Sequence, residues 1–274
     1  MKIRAISVAW ALLLAVWVPA AVGQGTPATG AKAMDREADP AFEVVTIKPN
    51  DSGIQTMLGL GFRGRNFTTR NTSVADLIGF AYGKNSKQIV DVPKEMEKDR
   101  YDINGVPDVE GVPNIRQQQA MVKKMLTERF KLTLHTATRE MSAFVMTVGK
   151  DGPKLPATKL EGLNPVTGVR PSEDGWILSS ENASTAVLAG VLQLSVLDRP
   201  VVDKTGLTGR YDVLIDFSPD SSEFNGHPPP PRQTANPAPG LFDAIQQQLG
   251  LKLSAEKAQV EVVVIDKVEK PSEN

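Results

Sequence analysis

Apolar side chains recur along the chain with two different periods, and these periods predict its secondary structure. Alternating apolar and polar positions predict short strands, which lie in segments 41–50 (with a turn at Pro49-Asn50), 87–93 and 100–106. A spacing of three to four residues predicts helices, which lie at residues 73–83, 114–130 and 241–249. Two further segments, 131–138 and 141–150, are predicted to pair as a hairpin. The pattern indicates an α+β fold.

Boundary signals support the helix at 73–83. Ser73 stands three residues before Asp76, which is the spacing of a capping box that satisfies free backbone N–H groups. Gly83 ends the helix. The preceding glycine-rich segment, 53–64, is predicted to be a loop. Its "GLGFRGR" has spaced glycines, but no helix of the right kind follows, so a phosphate cradle is weakly indicated.

The same order of elements occurs twice in the chain. Residues 71–79 match residues 182–190 at five of nine positions, and shorter matches join 89–91 to 201–203 and 100–103 to 210–213. The offsets are 111, 112 and 110, so we predict a tandem duplication. The alternative is that two stretches with the same order of helices and strands look alike for generic reasons. The duplication predicts two tandem α+β lobes, each with two helices packed on a small mixed sheet.

Changes in composition divide the chain into five parts. The boundaries predict a signal peptide at 1–23, a flexible leader at 24–40, a first lobe at 41–152, a linker at 153–172 and a second lobe at 173–274. The second lobe contains a proline-rich loop at 219–239, which we expect to be exposed.

The first residues have the order of a secretory signal. Lys2 and Arg4 precede an apolar run that ends near Pro19, and small residues lead to a predicted cleavage after Gly23. A membrane anchor is the alternative, but the run is shorter than the roughly 20 residues that a spanning helix needs. The sequence therefore predicts a periplasmic or secreted protein with no membrane span after cleavage.

Composition excludes several kinds of chemistry. The chain has no cysteine, so disulfides, thiolate catalysis and cysteine-ligated metals are ruled out. Loss of the signal would leave 29 Lys and Arg against 32 Asp and Glu, which gives no basic field for nucleic acid. With only two histidines, a histidine-rich metal site is excluded as well. We therefore assign no cofactor, no metal ligand and no catalytic residue.

The tetrapeptide Asp203–Gly206 matches the segment around the phosphorylated aspartate of P-type ATPases. A phosphoacceptor would also need an aspartate-rich metal site and a cytoplasmic nucleotide, and the repeat partner of Asp203, Asp91, lacks the following Lys-Thr-Gly. Gly206 and Gly209 suit a turn. We interpret Asp203 as a turn residue between two strands.

An Arg-Tyr-Asp triplet occurs in both predicted lobes. Its members are Arg100, Tyr101 and Asp102 in the first lobe and Arg210, Tyr211 and Asp212 in the second. Two related ligand sites are one interpretation. The structural interpretation, which we favour, has the aspartate capping a turn, the arginine pairing locally and the tyrosine anchoring its ring in the core.

His135, Arg139 and Glu140 lie near the predicted hairpin turn. Histidine with glutamate can perform acid–base chemistry, but that chemistry also needs a nucleophile or a metal and a pocket. Alternation along the strand places His135 on the side opposite Leu134, towards solvent. The other histidine, His227, lies in the proline-rich loop. We favour a surface histidine.

Several segments together carry a family resemblance. They are "FEVVTIKPN", "NTSVADLIGFAYG", "RFKL" with His135 and Arg139-Glu140, "RPVVDKTGLTGRYD", "QQQLGLKLS" and "VIDKVEKPSEN". With them, the chain from Phe42 to Asn274 closely resembles the soil-associated protein family, an exported domain of unknown function expanded in soil bacteria. The resemblance implies a periplasmic or secreted protein without an assigned activity. Segment 92–96 departs from the family, which has a glycine-proline and a tryptophan there.

The order of elements in each lobe also looks loosely like the small N-terminal domains of secretins and TonB-dependent receptors, which contact partner proteins. The leading hypothesis is therefore a non-catalytic binding or interaction module that contacts an envelope protein or a small ligand through exposed sheet edges or the cleft between the lobes. One alternative is an envelope hydrolase that uses carboxylates such as Asp91, Asp203 or Glu140. Another is a sensor whose lobes close on a small molecule.

Overall fold

The structure is a computed structural model that describes residues 32–54, 57–160, 165–224 and 237–271. The predicted signal peptide lies outside the described residues, as do residues 24–31 of the leader and residues 225–236 of the proline-rich loop with His227.

Four α-helices and eleven strands form the described part of the chain, which confirms the α+β class. The helices are α1 (Val74–Tyr82), α2 (Ile115–Arg129), α3 (Thr185–Ser195) and α4 (Leu241–Leu249). The strands are β1 (Phe42–Pro49), β2 (Gly59–Arg63), β3 (Asn66–Thr72), β4 (Ile89–Val90), β5 (Tyr101–Pro107), β6 (Thr133–Val148), β7 (Val166–Pro171), β8 (Trp176–Ala183), β9 (Val201–Asp203), β10 (Tyr211–Phe217) and β11 (Leu251–Lys267).

These strands form three sheets. The first sheet is antiparallel with the order β1-β5-β3-β2, and the second sheet is antiparallel with the order β10-β8-β7. The central sheet is mixed, with the order β4-β11-β6-β9. Its middle pair, β6 and β11, is antiparallel, while β4 and β9 run parallel to their neighbours. Each lobe thus has an antiparallel sheet of its own, and both lobes share the mixed sheet.

The predicted hairpin at 131–150 is wrong. Residues 133–148 form one continuous strand of 16 residues, which pairs along its whole length with the 17 residues of β11. The polar stretch around Arg139 and Glu140 looks like a turn in composition, but it contains no glycine, proline or asparagine that would favour one. Pairing with a strand more than 100 residues away keeps it extended.

Each hydrophobic core takes residues from both halves of the chain. The core of the first lobe, around α1 and α2, includes Val263 and Ile265 of β11. The core of the second lobe, around α3 and α4, includes Phe144 and Met146 of β6. The two long strands therefore connect the lobes through their buried side chains.

Helix α1 begins and ends as its sequence predicts. The Ser73 hydroxyl accepts a hydrogen bond from the Asp76 N–H at 3.1 Å, and the Asp76 carboxylate accepts one from the Ser73 N–H at 2.9 Å. Gly83 closes the helix in the left-handed conformation, with φ of 62°. The Ser184 hydroxyl caps α3 by accepting from the Val187 N–H at 3.3 Å, but valine cannot return the second bond that Asp76 makes in α1.

Some segments expected to be irregular are ordered. Strand β2 lies within the loop predicted at 53–64, and β7 lies within the range 153–172 assigned to a linker. In the range assigned to a leader, Ala33 forms a bridge with Val112 and Met34 is buried. Gly111 permits this approach, because a Cβ atom there would lie 2.6 Å from the Met34 backbone nitrogen.

The two halves follow one order of elements. The series β2-β3-α1-β4-β5-α2-β6 is followed by β7-β8-α3-β9-β10-α4-β11. In the central sheet, Val201 pairs with Phe144 and Ile89 pairs with Val263. The equivalent positions of the long strands, Phe144 and Val263, lie 119 apart, and those of the short strands lie 112 apart. The same 119 positions separate Lys131 and Gly250, which follow α2 and α4 with φ of 52° and 64°.

Candidate binding site on the first sheet

The outer face of the first sheet is polar. Along β5, Tyr101 and Ile103 are buried, while Asp102 and Asn104 point to the other face, because side chains alternate along a strand. The neighbouring strand β3 places Arg70 on the same outer face. The apolar positions therefore cover the core, and the polar positions remain available for binding.

A surface cavity of about 690 Å³ lies over this face. Residues 58–63, residues 68–70, Asp102 and Asn104 line it, and we call this set the trough. Its volume falls within the range of about 300–1,000 Å³ that small-molecule sites occupy, but such sites are lined mainly by apolar side chains. The polar lining and the open position over a sheet suit a polar chain better than a compact apolar ligand.

Two glycines form one side of the trough. Gly59 stands opposite Arg70 in the pairing of β2 with β3, and Gly61 stands opposite Thr68. The space where a Cβ atom would lie is open at both glycines. The backbone of β2 is therefore accessible both from above the sheet and from its side.

Strand β2 is an edge of the first sheet. No strand or bridge among the described residues pairs with its outer side. Arg63 and Asn66 close a two-residue turn as a hydrogen-bonded pair, so by alternation Gly59, Gly61 and Arg63 bond to β3. The backbone N–H and C=O groups of Leu60 and Phe62 therefore turn to the open side. The strand contains no proline or lysine, which commonly protect such edges.

The carboxylate in the trough already has partners. Asp102 accepts hydrogen bonds from the Asn71 N–H at 2.9 Å and from the Asn50 amide at 2.7 Å. The bond from Asn71, followed by the bond from Asn50, lowers the pKa of Asp102, and the charge of Arg70 acts in the same direction. By contrast, the guanidinium groups of Arg63 and Arg70 have neither a hydrogen bond nor an ion pair within the part of the chain that is described.

A family model described as "Protein of unknown function (DUF3738)" matches residues 75–268. The match runs from α1 to the end of β11 and takes in well over half of the chain. The chain belongs to the DUF3738 family. No curated protein and no solved structure matches it. Membership gives this DUF3738 protein a domain type and no specific activity.

The first Arg-Tyr-Asp triplet of the DUF3738 domain is built into the base of the first sheet. Arg100 donates to the carbonyl oxygens of Glu97 and Asp99 at 3.0 and 3.2 Å. The Tyr101 ring meets Phe130 edge-on with centroids 5.4 Å apart. Burial is the main cause that raises the pKa of Tyr101 to about 12, and the negative charge of Asp99 is the second cause. Of this triplet only Asp102 reaches the trough.

The second triplet repeats these contacts. Arg210 donates to the carbonyl of Asn182 at 2.7 Å, and Asp212 accepts a hydrogen bond from the Asn182 N–H at 2.9 Å. The Tyr211 ring packs against the second core.

The residues predicted near a hairpin turn lie instead along β6, in the central sheet. His135 Nδ1 lies 2.8 Å from Asp266 Oδ1, and both side chains are about half exposed. Arg139 binds Asp91 at 3.0 Å. Glu140 lies 3.9 Å from Lys257 on the opposite side of the strand, since consecutive side chains alternate. These contacts are surface ion pairs, which individually stabilise proteins little.

Asp203 of the DUF3738 domain folds back on its own turn. Its Oδ1 atom accepts hydrogen bonds from the N–H and the hydroxyl of Thr205 at 2.9 and 2.8 Å. The candidate residues thus lie on, or directly before, four different strands, β5, β6, β9 and β10, rather than in one pocket.

Sequence reasoning missed the trough and one buried acid. The trough residues Arg63 and Arg70 give no local signal, because three strands are needed to build the face. The second case is Glu223, whose side chain is fully buried. Burial, and next the charge of Asp220, raises the pKa of Glu223 to about 7.

Neither a metal-binding cluster nor a membrane-spanning helix is found in the described ranges. They contain no group of three His, Asp or Glu side chains placed to hold a metal ion. Of the helices that the structure describes, none combines the length and the apolar character that crossing a bilayer takes.

Proposed function

We propose that this DUF3738 protein is an exported, non-catalytic interaction module that holds an extended segment of an envelope protein along β2. The observation that carries the proposal is the open edge of β2 beside the trough. An added strand would bond to the free backbone groups of Leu60 and Phe62, and side chains above the sheet would give specificity. Peptides bind many sheet edges in this way.

The contacts of the acidic residues favour this proposal over an envelope hydrolase. Glycoside-type chemistry needs two carboxyl groups that face each other across a substrate, at roughly 5–10 Å. Here the carboxylate of Asp91 binds Arg139, that of Asp203 binds Thr205, and Glu140 lies beside Lys257. The trough also lies on the outer face of one sheet rather than between the lobes, which favours the module over a closing sensor.

Photocrosslinking tests the proposed contact. The chain contains no cysteine, so a single introduced cysteine can carry a benzophenone group at a chosen position. Gly59→Cys places it on β2 in open space. Val166→Cys places it on the edge strand of the second sheet, where the side chain is 65% exposed, and serves as the matched control.

The expected result is one envelope protein crosslinked at position 59, suppressed by excess unlabelled wild-type protein and absent at position 166. Equal labelling at both positions, or turnover of a wall-derived substrate without any crosslink, would contradict the proposal.

Export and soil association are part of the same proposal. They are supported by the order of charge, apolar run and small residues at 1–23 and by the resemblance to the soil-associated family. N-terminal sequencing of the protein from periplasm or culture fluid is expected to start at Gln24. A protein that keeps Met1 and stays in the membrane fraction would contradict export.

We also propose that the two lobes arose by duplication. Support comes from the repeated order of elements, the 119-position spacing in the central sheet and the paired hydrogen bonds of Asp102 with Asn71 and Asp212 with Asn182. An experimental structure in which residues 59–148 and 166–267 do not superpose would contradict the duplication.

A further inference from the structure

The open edge of β2 carries positive charge on one face. Arg63 lies on β2 itself, and Arg70 lies on β3 directly opposite Gly59. Both side chains are exposed, and within the described residues neither guanidinium has a hydrogen bond or an ion pair. The only carboxylate of the trough, Asp102, is held by Asn71 and Asn50. The two arginines are therefore available to an anion from outside.

The glycines of β2 extend the reach of Arg70. Gly59 places no side chain between Arg70 and the open edge, and the space above it is empty. The long arginine side chain can therefore pass over β2 to a side chain on an added strand. Gly61 leaves Thr68 accessible in the same way.

The second sheet has the reverse chemistry at the matching place. There Val166 of the edge strand stands opposite Glu181, where the first sheet has Gly59 opposite Arg70. The exposed outer face of β10 carries Leu214, where β5 carries Asn104. The two sheets share a backbone plan, and Arg170 of β7 matches Arg63 of β2. Glu181, however, stands where the first sheet has Arg70, so only the first sheet has a pair of cations beside its open edge.

We propose that the edge of β2 binds an extended acidic peptide segment whose carboxylates lie at positions i and i+4. This inference rests on the proposed function and gives its partner a chemical class. Four residues of β2 separate the level of Arg70, at Gly59, from Arg63, which is about 13 Å along a strand. Side chains at i and i+4 of an added strand share a face and have this separation. Arginine binds carboxylates through paired, charge-assisted hydrogen bonds.

Peptide binding to the full chain tests the inference. The probe is a fluorescein-labelled peptide of nine residues that alternates threonine and valine and carries glutamate at positions 3 and 7. One comparison peptide has lysine at both positions, and another has glutamate at positions 3 and 6, which lie on opposite faces of a strand. We expect the first peptide to bind at least about tenfold more tightly than either comparison, and more weakly at high salt.

Charge reversal locates the binding surface. The double variant Arg63→Glu and Arg70→Glu is expected to lower the affinity for the acidic peptide by about tenfold or more. The control variants Lys48→Glu on β1 and Arg170→Glu on β7 should leave that affinity unchanged. Gly59→Glu should also weaken binding by placing a carboxylate opposite Arg70, and Gly59→Gln should do so less. Unfolding midpoints of all variants show that each is folded.

The outcomes separate this inference from the proposed function. Equal affinity for the glutamate and lysine peptides, with crosslinking at position 59 intact, overturns the acidic class and leaves the docking edge standing. If no crosslink forms at position 59 or at position 166, both the acidic peptide class and the proposed docking edge are overturned. Tight binding of inorganic phosphate that displaces the peptide overturns the extended-segment claim. Self-association in sedimentation that charge reversal abolishes identifies a second copy as the occupant instead.

Discussion

The Asp102 carboxylate accepts a hydrogen bond from the Asn71 backbone N–H at 2.9 Å, and Asp212 accepts the equivalent bond from Asn182 at 2.9 Å. Both asparagines have left-handed backbones, with φ of 54° and 52°. In each lobe, the aspartate of one strand thus fixes the sharp bend that leads from the preceding strand into a helix. This relationship gives the aspartates of both triplets the same structural role.

Replacing either aspartate should destabilise the protein. We expect Asp102→Ala and Asp212→Ala each to lower the free energy of unfolding by about 1–3 kcal/mol, because a bond to a charged acceptor is lost and a backbone N–H is left unpaired. Urea denaturation measures the change. Asp266→Ala, which removes only an exposed hydrogen bond with His135, should cost less than about 1 kcal/mol.

The effect of Asp102 should also depend on pH. Its pKa is lower in the folded than in the unfolded protein, so its stabilising contribution is present above the unfolded pKa of about 4 and is lost as the pH falls through the folded pKa. The stability difference between wild type and Asp102→Ala should therefore shrink at acid pH. A constant difference from pH 7 to pH 2 would contradict this account.

Neither lobe should fold alone. A fragment of residues 41–152 lacks β11, and with it the partner of β4 and the core side chains Val263 and Ile265. We expect its NMR spectrum to be that of an unfolded chain, and we expect dispersed signals to return when a 153–271 fragment is added. The intact chain should unfold in one transition. A well-dispersed spectrum from 41–152 alone would show that β11 is dispensable.

The buried carboxyl of Glu223 should make stability fall as the pH rises. Its pKa is about 7 in the folded protein against about 4.3 when unfolded, so the folded state binds the proton more tightly. The contribution of Glu223 to the free energy of unfolding is fully present below about pH 4.3 and declines as the pH rises to about 7. Above about pH 7 it stays low. Glu223→Gln should therefore be more stable than wild type at pH 8, by about 1–2 kcal/mol, and nearly equal at pH 4.

Thermal unfolding of both proteins across this range measures the difference. Glu256→Gln, which changes an exposed carboxylate of β11, should show no such pH-dependent gain. An equal gain in both variants would mean that net charge, rather than burial, is responsible.

The positions after α2 and α4 provide a matched test of backbone strain. Lys131 has φ of 52° and Gly250 has φ of 64°, a region that costs a residue with a Cβ atom about 1 kcal/mol. Lys131→Gly should raise the free energy of unfolding by up to about 1 kcal/mol. Gly250→Ala should lower it by more, because the new Cβ would also overlap the Gly152 carbonyl. Calorimetry should show a higher free energy of unfolding for Lys131→Gly and a lower one for Gly250→Ala. A lower free energy of unfolding for Lys131→Gly would contradict this account.

The sequence predicted the parts of this fold that local residues decide. Ser73, Asp76 and Gly83 define α1 through contacts within one helix, so their pattern was sufficient. Strand β2 was missed because its glycines indicate a loop, and only pairing with β3 makes them a strand. The continuity of β6 depends on β11, far along the chain, and no local pattern reports such a partner.

The candidate site was harder to predict for the same reason. Asp102 was noticed through its repetition, but Arg63 and Arg70 become neighbours of one surface only when β2 and β3 pair. The burial of Glu223 likewise depends on tertiary packing rather than on the polar residues around it.

Glu140 and Gln259 face each other at the midpoint of the long strand pair, and they are also 119 positions apart. Glu140 in β6 and Gln259 in β11 are therefore equivalent positions of the two halves, and they pair with each other. In a symmetric homodimer of a single-lobe ancestor, the residue at this position would pair with the same residue of the other subunit at the two-fold axis. Two glutamates paired there would repel each other. Under the proposed duplication, joining the halves in one chain removes that restriction, so matching positions can differ, as Arg70 of β3 and Glu181 of β8 do.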